Sequence, residues 1–249
     1  MKSKLFIIEK MTSKKIFYYL LLILSATTVI YSQEIRKNKY GLFVVDNIEI
    51  YKTIVAEDSN NLLIDLEEYI PGIKFDIRYA TKNNFFGDAV YNVQKAFLRL
   101  PAAESLKKAQ QELNKMGLGL KIYDAYRPYS VTVKFYEKYP DTNFVASAWK
   151  GSRHNRGCAI DLTIINLKTG KEIDMPTLYD DFTERASINY MDLPEEQIKN
   201  RKLLLDIMNH NGFIPYKSEW WHYDFKGWEK FELMDISFEL LVLFRTTQR

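Results

Sequence analysis

The 249-residue chain carries 35 Lys+Arg against 32 Asp+Glu, is 47% hydrophobic, and has one Cys and three His. That length and apolar content support one large domain or two small ones with a sizeable core and exclude a disordered chain, while 27% charged residues exclude a multi-span membrane protein. The net charge of +3 is owed to residues 1–32, whose five Lys and one Glu sum to +4 and leave −1 for the rest, so no clustered basic footprint points to nucleic acid.

Lys14-Lys15 precede an apolar run from Ile16 to Ile30, and Ser32 supplies a small residue at a plausible cut. This pattern predicts a signal peptide over residues 1–32, because the run is short of the roughly 20 apolar residues a membrane span needs. The protein is then exported, periplasmic or extracellular, with no stable span after cleavage; an uncleaved leader would act as an anchor. Residues 33–61 show no clear period and read as an extended N-terminal segment.

Residues 62–80 alternate around Ile73, Phe75 and Ile77, which predicts a strand after the Pro71-Gly72 turn. A loop and a short strand follow over 81–100. Leu106, Ala109, Leu113 and Met116 share one face of a predicted helix from Pro101 to Gly117. Leu118, Leu120 and Ile122 alternate as a strand that leads to Asp124-Ala125-Tyr126-Arg127-Pro128. Another helix is predicted at 129–138, then a turn from Ser152 into the strand Ala159-Ile160-Asp161-Leu162. A polar stretch at 166–190 precedes a helix at 195–210 and an aromatic strand from Phe213 to Phe225. Helices and strands without strict alternation predict an α+β fold: a single domain over 62–240 with a central antiparallel sheet flanked by helices. Residues 241–249 read as a C-terminal tail without an evident role.

One Cys, Cys158, rules out an intrachain disulfide and a zinc site of paired cysteines. A catalytic zinc commonly takes three protein ligands and keeps one position open. His154, Asp161 and His222 offer such a set, and Gly157 lets the backbone turn between the first two. Asp161 interrupts an apolar strand, where an unpaired carboxylate is costly to bury and a cation would remove the cost. Each residue alone has a plainer reading: His154 as a solvated loop residue, Asp161 as an acceptor of backbone hydrogen bonds, His222 as a cap on the aromatics, and Arg127 as a surface partner of Asp124. Together these readings require two of three His to fall by chance in carboxylate-bearing motifs. Glu219 stands three residues before His222, and both can address one metal only if the strand bulges, since i and i+3 otherwise face opposite ways. His210 reads as structural at a helix C-terminus. Cys158 reads as a packed side chain rather than a nucleophile.

The motifs Ser152-x-His154-x-x-Gly157-x-Ala159-Ile160-Asp161, Glu219-Trp220-Trp221-His222 and Asp124-x-Tyr126-Arg127-Pro128 together resemble the zinc D-alanyl-D-alanine dipeptidases of the VanX type. Wider relatives are zinc D,D-carboxypeptidases, L-alanyl-D-glutamate endopeptidases and the Hedgehog signalling domain, whose fold the resemblance implies. It also implies one Zn2+ on His154, Asp161 and His222, Glu219 as catalytic base and Arg127 as transition-state stabiliser. Ser152 would meet the carboxylate of a small dipeptide substrate, and Asp181 and Tyr79 its ammonium; the length of the loop leaves Asp180 as an alternative to Asp181. Alternatives to dipeptide hydrolysis are carboxypeptidase or endopeptidase action on peptidoglycan stems, or a non-catalytic zinc-binding module.

Overall fold

A computed structural model describes residues 37–142 and 145–247. The predicted signal peptide, residues 1–32, lies outside the described residues. Among those described, no helix is long and apolar enough to cross a membrane.

The chain opens with a two-residue strand, β1 (Val44–Val45), and a helix, α1 (Ile48–Glu57), whose N-terminus Asn47 caps by accepting from the Glu49 and Ile50 amides. Residues 37–61, the described part of the stretch read as an extended segment, therefore include a helix. Tyr51 on α1 is fully buried, and its hydroxyl accepts the Leu63 amide at 2.7 Å. Next come β2 (Leu63–Asp65), the single turn α2 (Leu66–Tyr69), β3 (Lys74–Phe75) and β4 (Phe97–Arg99). The strand expected after the Pro71-Gly72 turn is β3, while the residues before that turn form β2 and α2, which begins where the Asp65 side chain accepts the Glu67 amide.

Helix α3 (Leu100–Asn114) buries Leu106, Ala109 and Leu113 as its period predicts, whereas Met116 lies past the helix and is half exposed. Strand β5 (Leu118–Asp124) and helix α4 (Tyr129–Lys138) follow. Strand β6 (Ala159–Asn166) leads through a long excursion to α5 (Glu195–His210). The aromatic run then divides into the hairpin β7 (Phe213–Tyr216) and β8 (Glu219–Phe225). A short β9 (Leu233–Met234) and α6 (Phe238–Thr246) close the chain.

The central sheet has the order β3-β5-β6-β8-β7. It is mixed rather than antiparallel: β3 runs parallel to β5, while the other pairs are antiparallel. The reason is the connection, since β4 and α3 lie between β3 and β5 and a helical crossover returns the chain in the same direction. Seven of the eight β6 residues are buried, so this strand is covered on both faces. Leu120 and Ile122 of β5 and Ile160, Leu162 and Ile164 of β6 form the centre of the core. A parallel pair, β1 with β9, and an antiparallel pair, β2 with β4, lie apart from this sheet.

The C-terminal residues are not a free tail. Leu241 and Phe244 of α6 are buried, and the Phe244 ring meets Tyr51 of α1 edge to face at 5.5 Å.

Candidate metal centre and active site

The sheet brings two of the three suspected metal ligands together by register alone. Asp161 on β6 is paired directly with His222 on β8, and His222 Nδ1 lies 2.9 Å from Asp161 Oδ1. His154 begins a 3-10 turn, His154–Arg156, which Gly157 ends with φ 68°, a left-handed conformation that glycine adopts without steric cost. That turn sends the imidazole back to the sheet, placing Nε2 at 3.2 Å from His222 Nδ1 and 3.4 Å from Asp161 Oδ1.

The tautomers suit a cation. A carbonyl oxygen only accepts, so His154 Nδ1 donates to Ala125 O at 2.6 Å and Nε2 turns its lone pair toward the cluster. Likewise His222 Nε2 is held at 3.0 Å by Asp224 Oδ1, leaving Nδ1 inward. Burial opposes charge on the Asp161 carboxyl, yet His154 and His222 hold it well below the usual range. Burial also opposes charge on His222, yet Asp224 and Asp161 pull that ring well above its ordinary value. An anion facing two imidazole nitrogens, all nearly fully buried, is a cluster that favours positive charge, which a proton on His222 supplies and which a divalent cation would supply in its place. Ligands spaced about 3.3 Å apart are what a tetrahedral ion with bonds of about 2.0–2.1 Å needs, so the donors fit zinc in number, type and spacing.

Glu219 reaches the same point because β8 bulges. Pro215 pairs with Tyr223 but Tyr216 pairs with Glu219, so Trp220, Trp221 and His222 are extra residues on β8. The bulge required by the Glu219–His222 spacing is present, and Glu219 Oε2 lies 3.9 Å from His222 Nδ1. Burial pushes its carboxyl up to about 7, against the pull of His222.

Arg127 is buried rather than at the surface. Its Nε and Nη2 both donate to Asp124 Oδ2, at 3.0 and 2.7 Å, and Tyr91 donates to Asp124 Oδ1 at 2.8 Å. The guanidinium stacks over Tyr79 and Phe135 at 5.1 and 5.0 Å from the ring centroids. It lines a cavity of about 400 Å³ together with Ser152, His154, Asp161, Glu219 and His222. Ser152 Oγ accepts the His154 amide at 3.2 Å, which leaves its hydroxyl proton free to donate.

The far wall of the cavity is aromatic: Phe85 lies 4.9 Å from Phe135 and 5.4 Å from Phe182. Among these rings sits Asp180, whose Oδ1 accepts the Tyr79 hydroxyl at 3.1 Å. Burial, with the nearby Asp161, pushes the Asp180 carboxyl up to about 8. Asp181 is not part of the wall. Its Oδ1 accepts the Thr183 amide at 2.9 Å, so it shapes the following turn, and the acidic wall residue is Asp180. His210 pairs with Glu112 at 3.7 Å and takes no part in the cluster. Cys158 is buried, with burial raising its thiol to about 12.

Two residues of the site escaped the motif reading: Asp224 behind His222, and Tyr179, whose hydroxyl donates to Asp161 Oδ2 at 2.9 Å. Asp224 had a signal, because residues two apart on a strand share a face with the ligand. Tyr179 lies in an irregular segment and had none.

A family model described as D-ala-D-ala dipeptidase matches residues 59–235. The chain belongs to this family. The D-alanyl-D-alanine dipeptidase of Escherichia coli K12 is 33% identical over 180 residues, 72% of this chain and 93% of that protein. That of Enterococcus faecium is 34% identical over 178 residues, 64% of this chain and 88% of that one. Among solved structures, the LdcB LD-carboxypeptidase overlaps with a TM-score of 0.39 at 20% identity, covering 65% of this chain and 68% of that one; so partial an overlap decides nothing about function.

Proposed function

We propose that this chain hydrolyses the D-alanyl-D-alanine dipeptide to two D-alanines, with one Zn2+ on His154, Asp161 and His222. The observation that carries the reading is the joint placement of Glu219 and Arg127 on the metal-ligand cluster inside a cavity with a carboxylate, Asp180, in its aromatic wall. Membership of a family whose curated members bear that activity in their names supports it.

A zinc ion there would polarise the scissile carbonyl and acidify water. Glu219 accepts the proton of the attacking water and passes it to the leaving amine, a task suited to a carboxyl whose pKa is near neutral. Arg127, fixed by Asp124, offers its guanidinium to the oxyanion as charge develops. Asp180 and Tyr79 hold the substrate ammonium, and the Ser152 hydroxyl meets its carboxylate. An acidic group at one pole and a hydroxyl donor at the other suit a zwitterion of two residues and disfavour a longer chain.

Residues 1–32 support an exported enzyme, which would meet dipeptide released from the cell wall rather than the cytoplasmic precursor pool. Scavenging or turnover of wall-derived dipeptide follows from that location. The test is hydrolysis by the purified, zinc-loaded protein. Release of D-alanine from D-Ala-D-Ala, with a pentapeptide stem left intact, is expected. Trimming of the stem with the dipeptide untouched would favour a carboxypeptidase instead.

A further inference from the structure

The two carboxylate oxygens of Asp161 have separate partners. Oδ1 faces His222 Nδ1 and His154 Nε2, whereas Oδ2 accepts the Tyr179 hydroxyl at 2.9 Å. A carboxylate whose second oxygen is held in this way meets a cation through one oxygen and in a fixed plane. The Tyr179 ring is itself gripped, lying 4.6 Å from Tyr123, 5.5 Å from Trp221 and 6.2 Å from Tyr79.

The next residue is Asp180, with φ 62°, the only non-glycine residue of positive φ among those described. L side chains enter this region at a steric cost, so local bonds must retain it. Tyr79 and the Phe85 amide bind its carboxylate, at 3.1 and 3.4 Å, and Tyr179, the residue just before it, is anchored to Asp161.

We propose that Tyr179 is a positioning residue that ties the loop bearing Asp180 to the metal-binding carboxylate of Asp161, so that one hydrogen bond sets both the orientation of that ligand and the place of the ammonium-binding group. The ammonium half of this inference rests on the dipeptidase reading above; the metal half does not.

Tyr179→Phe keeps the ring and removes the hydroxyl. Tyr123→Phe is the matched control, since it removes a hydroxyl from the ring stacked on Tyr179 without touching Asp161. In competition against a chromogenic chelator, the full chain with Tyr179→Phe is expected to bind zinc about 10–100-fold more weakly, and Tyr123→Phe to bind it like wild type. The visible spectrum of the cobalt-substituted protein is expected to change in Tyr179→Phe alone. At saturating zinc, KM for D-Ala-D-Ala should rise more than kcat falls, and the preference for this dipeptide over its N-acetyl form should shrink. Wild-type zinc affinity and cobalt spectrum in Tyr179→Phe, or equal changes in both variants, would overturn the proposal. If wild-type protein leaves D-Ala-D-Ala intact, the dipeptidase reading falls, while the chelator and cobalt measurements still judge Tyr179.

Discussion

Glu219 and Asp180 are two partly buried carboxyls with raised pKa values in one cavity, and their tasks differ by what they face. Glu219 lies beside the ligand set, so Glu219→Ala is expected to lower kcat by about 10²–10⁴-fold while zinc content, measured by metal analysis, stays at one per chain. Asp180 lines the cavity wall and, on the proposed reading, meets the substrate ammonium. Burial holds its carboxyl at about 8, so it carries a proton at pH 7, whereas an ammonium ligand requires the anion. Binding below about pH 8 therefore expels a proton, and KM should fall as pH rises toward that value. Above it the substrate's own amine, with a pKa of about 8, loses its charge and KM should climb again. Asp180→Asn should raise KM by roughly 10–100-fold and flatten the acid limb of a KM–pH profile. An Asp-Asp pair in a loop does not by itself declare which member turns inward. The choice is made by a left-handed residue and its bond to Tyr79, both of which are long-range facts.

At the scale of elements, the site is made from a turn and two paired strands. Gly157 is where the turn tolerates least change: its φ is 68°, and an added Cβ would meet Leu63 Cδ2 at 2.6 Å. Gly157→Ala should cost about 1–2 kcal/mol or more in denaturant unfolding and should weaken zinc binding, because His154 is delivered by this turn. The bulge in β8 was legible from a chemical requirement, since a base and a ligand three apart cannot share a face of a regular strand. Helices at 129–138 and 195–210 were legible from their period and their boundaries. The edge strand β3 falls where the alternation around Phe75 predicts a strand, but its parallel direction was not legible, because it is set by a distant crossover. Tyr179 was hidden for a related reason: it acts on a residue that the motifs name, and nothing in the local sequence marks that pairing.

Over the whole molecule, the segments that were hardest to read turn out to hold one another. Helix α1 lies in the stretch read as extended and α6 in the stretch read as a tail, and their contact runs through Tyr51 and Phe244. Helices of only nine or ten residues hold too few turns to show a clear period, so their burial becomes evident only with their partner in place. Phe244→Ala should destabilise the fold by about 3–5 kcal/mol in urea unfolding, although the residue is far along the chain from every member of the site. The parallel pairing of Val44 with Leu233 joins the same two regions a second time.

The direct partnership of Asp161 and His222 across neighbouring strands also governs which length changes a homologous chain can absorb. Adding or deleting one residue between Cys158 and Asp161 would rotate the carboxylate to the opposite side of the sheet, away from both imidazoles. Gain or loss of residues near Thr169, in the connection after β6, would leave that partnership untouched. Divergence in this architecture is thus free to lengthen the surface connections, while the count of residues from one ligand to its strand partner stays frozen.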